Sequence, residues 1–153
     1  MSDHSVAHGT FVVERDFPHP VSKVFAAWAD PKKKHSWFGA ATGNPPPVFE
    51  FRPGGRELLS GEMPNGQTHR FDVTYEDIVP ENRIIYSYDM HMNGRKISVS
   101  LAAIEFTPTG SGTHLRLTEY GLYLDGLDNM EQRRHGTIHL IDQLGGYLER
   151  EAR

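Results

Sequence analysis

The last stretch of the chain constrains everything before it. From Leu127 to Arg150 the sequence runs LDNMEQRRHGTIHLIDQLGGYLER. At about 3.6 residues per turn, Met130, Thr137, Ile138, Ile141, Leu144, Gly145 and Leu148 fall on one arc of a helix. Glu131, Gln132, His135, His139, Asp142, Gln143 and Glu149 fall on the other side and can face water. Asp128 or Asn129 is placed to cap the start. Two features of the apolar arc are costly. Arg134 lies near its middle, and Gly145 and Gly146 each cost a helix roughly 1 kcal/mol relative to alanine. A helix that accepts those costs is expected to lie against something large, such as a sheet or the contents of a pocket.

The rest of the chain supplies the sheet. Thr10 to Phe17 alternates as a strand, with Phe11, Val13, Arg15 and Phe17 on one face. Pro18 and Pro20 end it and open a helix over Val21–Ala29, and Asp30-Pro31 starts a second short helix through Trp37-Phe38. Lys32, Lys33 and Lys34 read as its solvated first turn. After the stiff run Pro45-Pro46-Pro47, strand-like segments follow in quick succession: 48–52, 56–63, 68–79, 83–92, 96–107 and 113–121. The connections are Pro53-Gly54-Gly55, Asn65-Gly66, Pro80-Glu81-Asn82, Asn93-Gly94 and the turn from Pro108 to Gly112. Short turns between consecutive strands make an antiparallel meander, and with the first strand the count is seven. Such a sheet must bury one face, and only the helices are available to cover it. Residues 1–9 are expected to be a loose tail before one domain spanning 10–153.

Composition narrows the function classes. The 153 residues carry a net charge of −4, which argues against a nucleic-acid binder. Zero cysteines exclude disulfides and thiol chemistry and are compatible with a reducing compartment. The polar start MSDHSVAHGT lacks a signal-peptide core, and no apolar run approaches the roughly 20 residues that span a bilayer. The expectation is a cytoplasmic protein with no membrane partner.

Several stretches then show a resemblance. VERDFPHPVSKVFAAWADPKKKHSWFG is similar to the opening of the SRPBCC superfamily, the START-like or birch-pollen-allergen-like helix-grip domains. RPGGRE, VPENRIIYSY, IEFTPTGSGTHLRLTEYG and RHGTIHLIDQLGGYLE resemble the branch named after the activator of the heat-shock-protein-90 ATPase. The resemblance covers roughly residues 10–150. It implies an α+β helix-grip fold: a seven-stranded antiparallel sheet wrapped around the long C-terminal helix, with two short helices after the first strand. The fold hosts carriers, cyclases, receptors and chaperone cofactors, so it does not by itself name an activity. In the family an aromatic residue commonly follows the glycine of the last helix. Thr137 stands there in this chain and should leave room or a hydroxyl in a cavity.

The candidate site residues follow from strand and helix phase. Arg15, Glu119 and Arg134 each lie on an inward face by periodicity, and charges there need partners. In the family's topology the first and last strands are neighbours, which implies that Arg15 and Glu119 meet. One reading is a structural ion pair; in the other, Arg134 or Arg15 holds a carboxylate or phenolate of a ligand while aromatic side chains hold its body, and both can be true at once. Tyr86, Tyr88, Met90 and Met92 share one face of their strand, and Phe71, Tyr75, Phe49 and Phe51 add aromatic area. These are the material of a sheet core or of a ligand cavity. Ile138 and Ile141 complete the wall from the helix. The inward side of 96–107 is left open, with a bulge expected near Ala102-Ala103.

No cofactor and no metal are implied. His135 and His139 are four apart but lie on the polar face, without an HExxH pattern or a converging third ligand. There is no GxSxG elbow, P-loop or dinucleotide fingerprint, and no catalytic set stands out. Three functions fit: binding of a small hydrophobic or amphipathic ligand between helix and sheet, a cyclase- or hydrolase-like enzyme in the same cavity, or a chaperone-cofactor-like surface role. A convergent acid and base in the cavity would favour the enzyme, and a filled core would favour the surface role. A homodimer is the expected assembly, as relatives are often dimeric and two-fold dimers are the commonest soluble oligomer.

Overall fold

The computed structural model describes residues 4–38 and 48–153. The elements are β1 (Val6–Phe17), α1 (Val21–Ala29), α2 (Pro31–His35), β2 (Val48–Phe49), β3 (Arg56–Glu62), β4 (Thr68–Val79), β5 (Arg83–Met92), β6 (Arg95–Thr109), β7 (Gly112–Leu124) and α3 (Met130–Glu151). All strands belong to one seven-stranded antiparallel sheet in the order β1-β7-β6-β5-β4-β3-β2. The meander therefore runs from β2 to β7, and β1 returns to pair with β7. With α3 against this sheet and two short helices after β1, the fold is the α+β helix grip.

Local chemistry sets the joints. Asn93 and Gly94 both have positive φ, 52° and 79°, the conformation that lets two residues connect β5 to β6 without splaying them. The Asp30 carboxylate accepts from the backbone N–H of Lys32 and Lys33, at 2.9 and 3.2 Å, and so caps α2. At the start of α3 the cap is Asn129, which accepts from Gln132 N–H at 2.9 Å. Asp128 is thereby free for another task.

Several boundaries and register details differ from expectation: α2 ends at His35 rather than at Trp37-Phe38, and β2 ends at Phe49 rather than at 52. The strand expected from Thr10 begins at Val6, because Val6–Gly9 pair with Leu124–Gly121 of a β7 that itself runs on to Leu124. The expected tail at 1–9 is thus strand from Val6 onward. No bulge lies at Ala102-Ala103, where both pairings are regular. Instead Met90 faces Ser98 and His91 faces Lys96, so Ile97 is the extra residue. From Ser98 to Phe106 the burial then alternates without a break and puts Ser98, Ser100, Ala102, Ile104 and Phe106 inside. A second irregularity, at Glu76 in β4, had no sequence sign. The prolines at 45–47 lie outside the described residues.

The core lies between sheet and helix. Phe11, Val13 and Phe17 of β1, Ile84 of β5, Ile104 and Phe106 of β6, and Leu115 and Leu117 of β7 pack in one cluster with Ile141, Leu144 and Leu148 of α3. At one end Val24, Phe25 and Trp28 of α1 join it. Trp28 meets Trp37 edge to face at 4.7 Å, and the Trp37 indole donates to the Ala27 carbonyl. No described helix is long and apolar enough to cross a membrane.

Candidate functional site

The sheet and α3 do not close on one another along their whole length. Towards the start of α3 they leave a cavity of about 340 Å³. Its wall is mostly apolar: Phe71 and Val73 of β4, Tyr86, Tyr88, Met90 and Met92 of β5, Ile97 of β6, Leu117 of β7, and Phe38 after α2. From the helix side come Gln132, Gly136, Thr137 and Leu140. An ideal Cβ placed on Gly136 would meet no atom within 4 Å, so helix bulk is missing here.

Two buried charge clusters bound this apolar space. The first is built on Arg133, which is 8% exposed and reaches in from the first turn of α3. Its Nη2 donates to Asp128 Oδ2 at 2.6 Å and to Ser98 Oγ at 2.7 Å. Its Nη1 donates to the Tyr88 hydroxyl at 2.8 Å and to Ser100 Oγ at 3.3 Å. Tyr88 in turn donates to Glu119 Oε2 at 3.0 Å, and Glu119 lies 3.6 Å from the guanidinium. The second cluster joins α2 to β3 and β4. Lys34 Nζ donates to Glu57 Oε1 at 2.7 Å and to the Tyr75 hydroxyl at 3.2 Å, and Tyr75 donates to the same carboxylate oxygen. The ammonium also lies 4.5 Å from the centre of the Phe38 ring and 5.4 Å from that of Phe49, within cation–π range.

Tyr86 stands between the clusters, 6.2 Å from Tyr75 and 5.8 Å from Tyr88 by ring centres. Its hydroxyl has no hydrogen-bond partner among the described residues. Burial, then the nearby Tyr88, pushes its pKa well up, so the hydroxyl keeps its proton. Burial, then Glu119 or Glu57, does the same to Tyr88 and Tyr75. Burial also raises the Glu119 carboxyl above its ordinary value, against the opposing pull of Arg133 and the Tyr88 hydroxyl. Burial alone would lower Arg133, but Tyr88, Glu119 and Asp128 outweigh it and the net shift is upward.

Of the residues read from the sequence, Phe71, Tyr86, Tyr88, Met90, Met92, Glu119 and Thr137 line the cavity. Arg15, Arg134, Ile138 and Ile141 do not. Arg15 does not meet Glu119. Its partner across β7 is Leu115, four positions and about 13 Å from Glu119, which instead lies opposite Phe11. The Arg15 side chain runs out to Asp142 on α3, at 2.7 Å, with both groups partly in water. The arginine inside the cavity is Arg133 rather than Arg134. Arg133 lies one turn before Thr137 in the row that continues through Ile141, Leu144 and Leu148, whereas Arg134 is displaced to the half-buried flank. Ile141 is fully buried in the core, and Ile138 packs at its margin. Gly145 leaves no cavity space either, since Phe17 occupies it with Cε1 3.5 Å from an ideal Cβ.

Glu57 and Arg133 are not among the residues read from the sequence, and Asp128 is read there only as a possible helix cap. The sequence reads Lys34 as part of a solvated first turn, but it is buried, because its ammonium turns inward to Glu57 and the Tyr75 hydroxyl. For Lys34 a sign was present, because it lies three and four residues before Trp37 and Phe38 and therefore on their side of the turn. Among the described residues, no group of three His, Cys, Asp or Glu side chains is placed to hold a metal. His135 is exposed and lies 3.9 Å from Glu131.

The fold and its half-open interior define a helix-grip protein of the SRPBCC superfamily. Residues 18–149 match the model of the family described as Activator of Hsp90 ATPase homolog 1-like protein, and the chain belongs to that family. It is similar to a protein of Rhizobium leguminosarum, 37% identical, with 96% of this chain and 98% of that one covered and a TM-score of 0.90. It is also similar to Mll3558 of Rhizobium loti, 38% identical over 94% of this chain and 99% of that one, with a TM-score of 0.87. Protein CV1439 of Chromobacterium violaceum, 23% identical, shares the fold at a TM-score of 0.74, with 92% of this chain and 96% of that one covered. No curated protein matches the chain.

Proposed function

We propose that the protein binds a small hydrophobic or amphipathic molecule in the cavity between α3 and the sheet. The observation that carries this reading is the cavity itself: about 340 Å³ walled by phenylalanine, tyrosine and methionine on one side and by Gly136 and Thr137 on the other. Pockets of this size with a few placed polar groups are the usual form of small-molecule sites. Methionines at 90 and 92 can adapt their shape to a ligand body. A surface role of the kind the family's name suggests would not call for such a space. Titration with the neutral dye N-phenyl-1-naphthylamine should give saturable fluorescence at one dye per chain. Native mass spectrometry of the purified protein then searches for a co-purifying small molecule. Absence of any saturable dye binding would overturn the reading.

A second reading, an acid–base enzyme in the same cavity, draws on Glu119, whose carboxyl is raised by burial and bonded to Tyr88. It requires that a bound ligand be recovered chemically changed and that Glu119→Gln keep binding but lose turnover. Recovery of every ligand unchanged leaves binding alone.

We also propose self-association as a two-fold dimer. Val12, Leu101, Tyr120 and Leu122, on the solvent face of β1, β6 and β7, are each 39% or more exposed. Leu101 and Tyr120 are direct cross-strand neighbours, so the apolar area is continuous there. Light scattering at high micromolar concentration should give twice the chain mass for the wild type and the chain mass for Tyr120→Glu. A wild-type monomer would refute the dimer.

A further inference from the structure

The charge arrangement of the cavity narrows what it can hold. Its walls and the clusters behind them carry two cations, Lys34 and Arg133, against three carboxylates, Glu57, Glu119 and Asp128. With Glu119 ionised there is one surplus negative charge, and with Glu119 protonated the charges balance. In neither state do the described residues leave a cation over. Both terminal nitrogens of Arg133 are already engaged with protein acceptors, and Lys34 is held by Glu57 and Tyr75. Residues 39–47, GAATGNPPP, contain no charged side chain. A carboxylate or phosphate entering here would shed its water, find no free counter-charge and face carboxylates across a medium of low polarity.

The polar groups still on offer are few. The protons of Tyr75 and Tyr88 are committed to Glu57 and Glu119. The Tyr86 hydroxyl, in the middle of the wall, has none of its bonding capacity used by the described residues. Among the described residues it is a donor without an acceptor. Around it the wall consists largely of ring faces and edges: Tyr88 and Phe71 lie 5.8 Å apart at a 38° tilt, and Phe38 meets Phe71 edge to face at 6.3 Å. Rings in these orientations favour a flat, aromatic guest. The volume, about 340 Å³, is roughly twice the 150 Å³ or so that accommodates one benzene.

Resting on the binding function proposed above, we infer that the ligand is an uncharged planar aromatic molecule of about two fused rings whose carbonyl or ether oxygen accepts from Tyr86, and that acidic ligands are selected against. This reverses the simplest expectation from a cavity containing an arginine. Arg133 is a neutralising and positioning residue for Glu119, Asp128 and Tyr88, not an anchor for an anion.

The test is competition against bound N-phenyl-1-naphthylamine by three probes of one shape: 2-acetylnaphthalene, 2-ethylnaphthalene and 2-naphthoate at pH 7.5. The ketone should displace the dye at least tenfold more effectively than the carboxylate. It should also exceed the ethyl compound by about two- to tenfold, the value of one net hydrogen bond. In Tyr86→Phe that second ratio should fall to near one while the ethyl compound binds as before, which doubles as proof that the variant is folded. Equal or tighter binding of 2-naphthoate, or an unchanged ketone preference in Tyr86→Phe, overturns this inference and leaves the cavity function standing. Failure of the dye itself to bind removes the function on which the inference rests.

Discussion

Arg133 and Glu119 lie 3.6 Å apart in the cavity wall, yet the group that joins them is Tyr88, which accepts from Nη1 at 2.8 Å and donates to Oε2 at 3.0 Å. A neutral hydroxyl thus completes the hydrogen bonding of two buried charges. Replacing Arg133 by Met would leave Glu119 and Asp128 near one another without their cation, and unfolding in urea should show a loss of about 3–5 kcal/mol. Tyr88→Phe removes only the bridge and should cost about 1–3 kcal/mol. If Arg133→Met costs less than about 1 kcal/mol, the cluster does not hold this end of α3.

Lys34 offers a contrast within one run of sequence. Lys32 is exposed, whereas Lys34 bridges Glu57 and Tyr75 with almost no access to water. Lys32→Met should therefore change stability by no more than about 0.5 kcal/mol. Lys34→Met strands a buried carboxylate and should cost about 3–5 kcal/mol by the same urea measurement. Equal effects from the two substitutions would sink the assignment.

The two clusters also show what could be read without coordinates. The meander order of β2 to β7, the two long strands 68–79 and 83–92, and the inward faces of β5 and β7 were legible because period-two alternation and Asn-Gly turns act locally, whereas the place of β1 beside β7 came from the family resemblance alone. The partner of Glu119 was not legible. Periodicity tells which way a side chain points, not how far along the strand its partner lies, and one residue of helix phase separates Arg133 from Arg134. Lys34 and Glu57 are 23 residues apart and meet only through the tertiary fold. The irregularity at Ile97 escaped for a similar reason: Lys96–Ser100 reads as a regular strand until it must stay in register with both β5 and β7.

Glu119 gives the pH dependence a sign. Its folded-state pKa is raised, by burial first, so between its unfolded and folded values the folded chain binds more protons than the unfolded one. Stability from this group is fully present below the unfolded carboxyl value and declines as pH rises through the folded one. Unfolding free energies of the wild type and Glu119→Gln, measured from about pH 4 upward, should diverge in favour of the variant across that window and then run parallel. A difference that stays constant, or moves towards the wild type, contradicts the shift.

Gly145 and Gly121 should respond oppositely to a methyl group. At Gly145 the added carbon would meet Phe17 at an ordinary contact distance of 3.5 Å, and alanine is worth up to about 1 kcal/mol in a helix. Gly145→Ala should raise the melting temperature by about 2–4 °C. At Gly121 the same carbon would collide with the Tyr123 hydroxyl, whose ring is fully buried, so Gly121→Ala should lower it. Calorimetry on both variants decides, and a lower melting temperature for Gly145→Ala would mean that Phe17 cannot yield.

Thr137 is where the helix itself can be used to close the cavity. It is 8% exposed, lines the space beside Gly136, and among the described residues its hydroxyl bonds only back to the Arg133 carbonyl at 2.9 Å, an interaction whose loss costs a helix little. A tryptophan there would project its indole into the volume that a ligand would take. In a packed interior the same change would overfill the core and cost about 1–3 kcal/mol or more. Over a cavity of about 340 Å³ it should instead be tolerated, because filling empty apolar space recovers contacts that the lining residues lack. Thr137→Trp should therefore unfold within about 1 kcal/mol of the wild type while its affinity for N-phenyl-1-naphthylamine falls at least tenfold. Thr137→Ser, which leaves the space open, should bind the dye as the wild type does. Severe destabilisation by tryptophan would show that the space is not available to a side chain, and full dye binding in a stable Thr137→Trp would place the dye elsewhere.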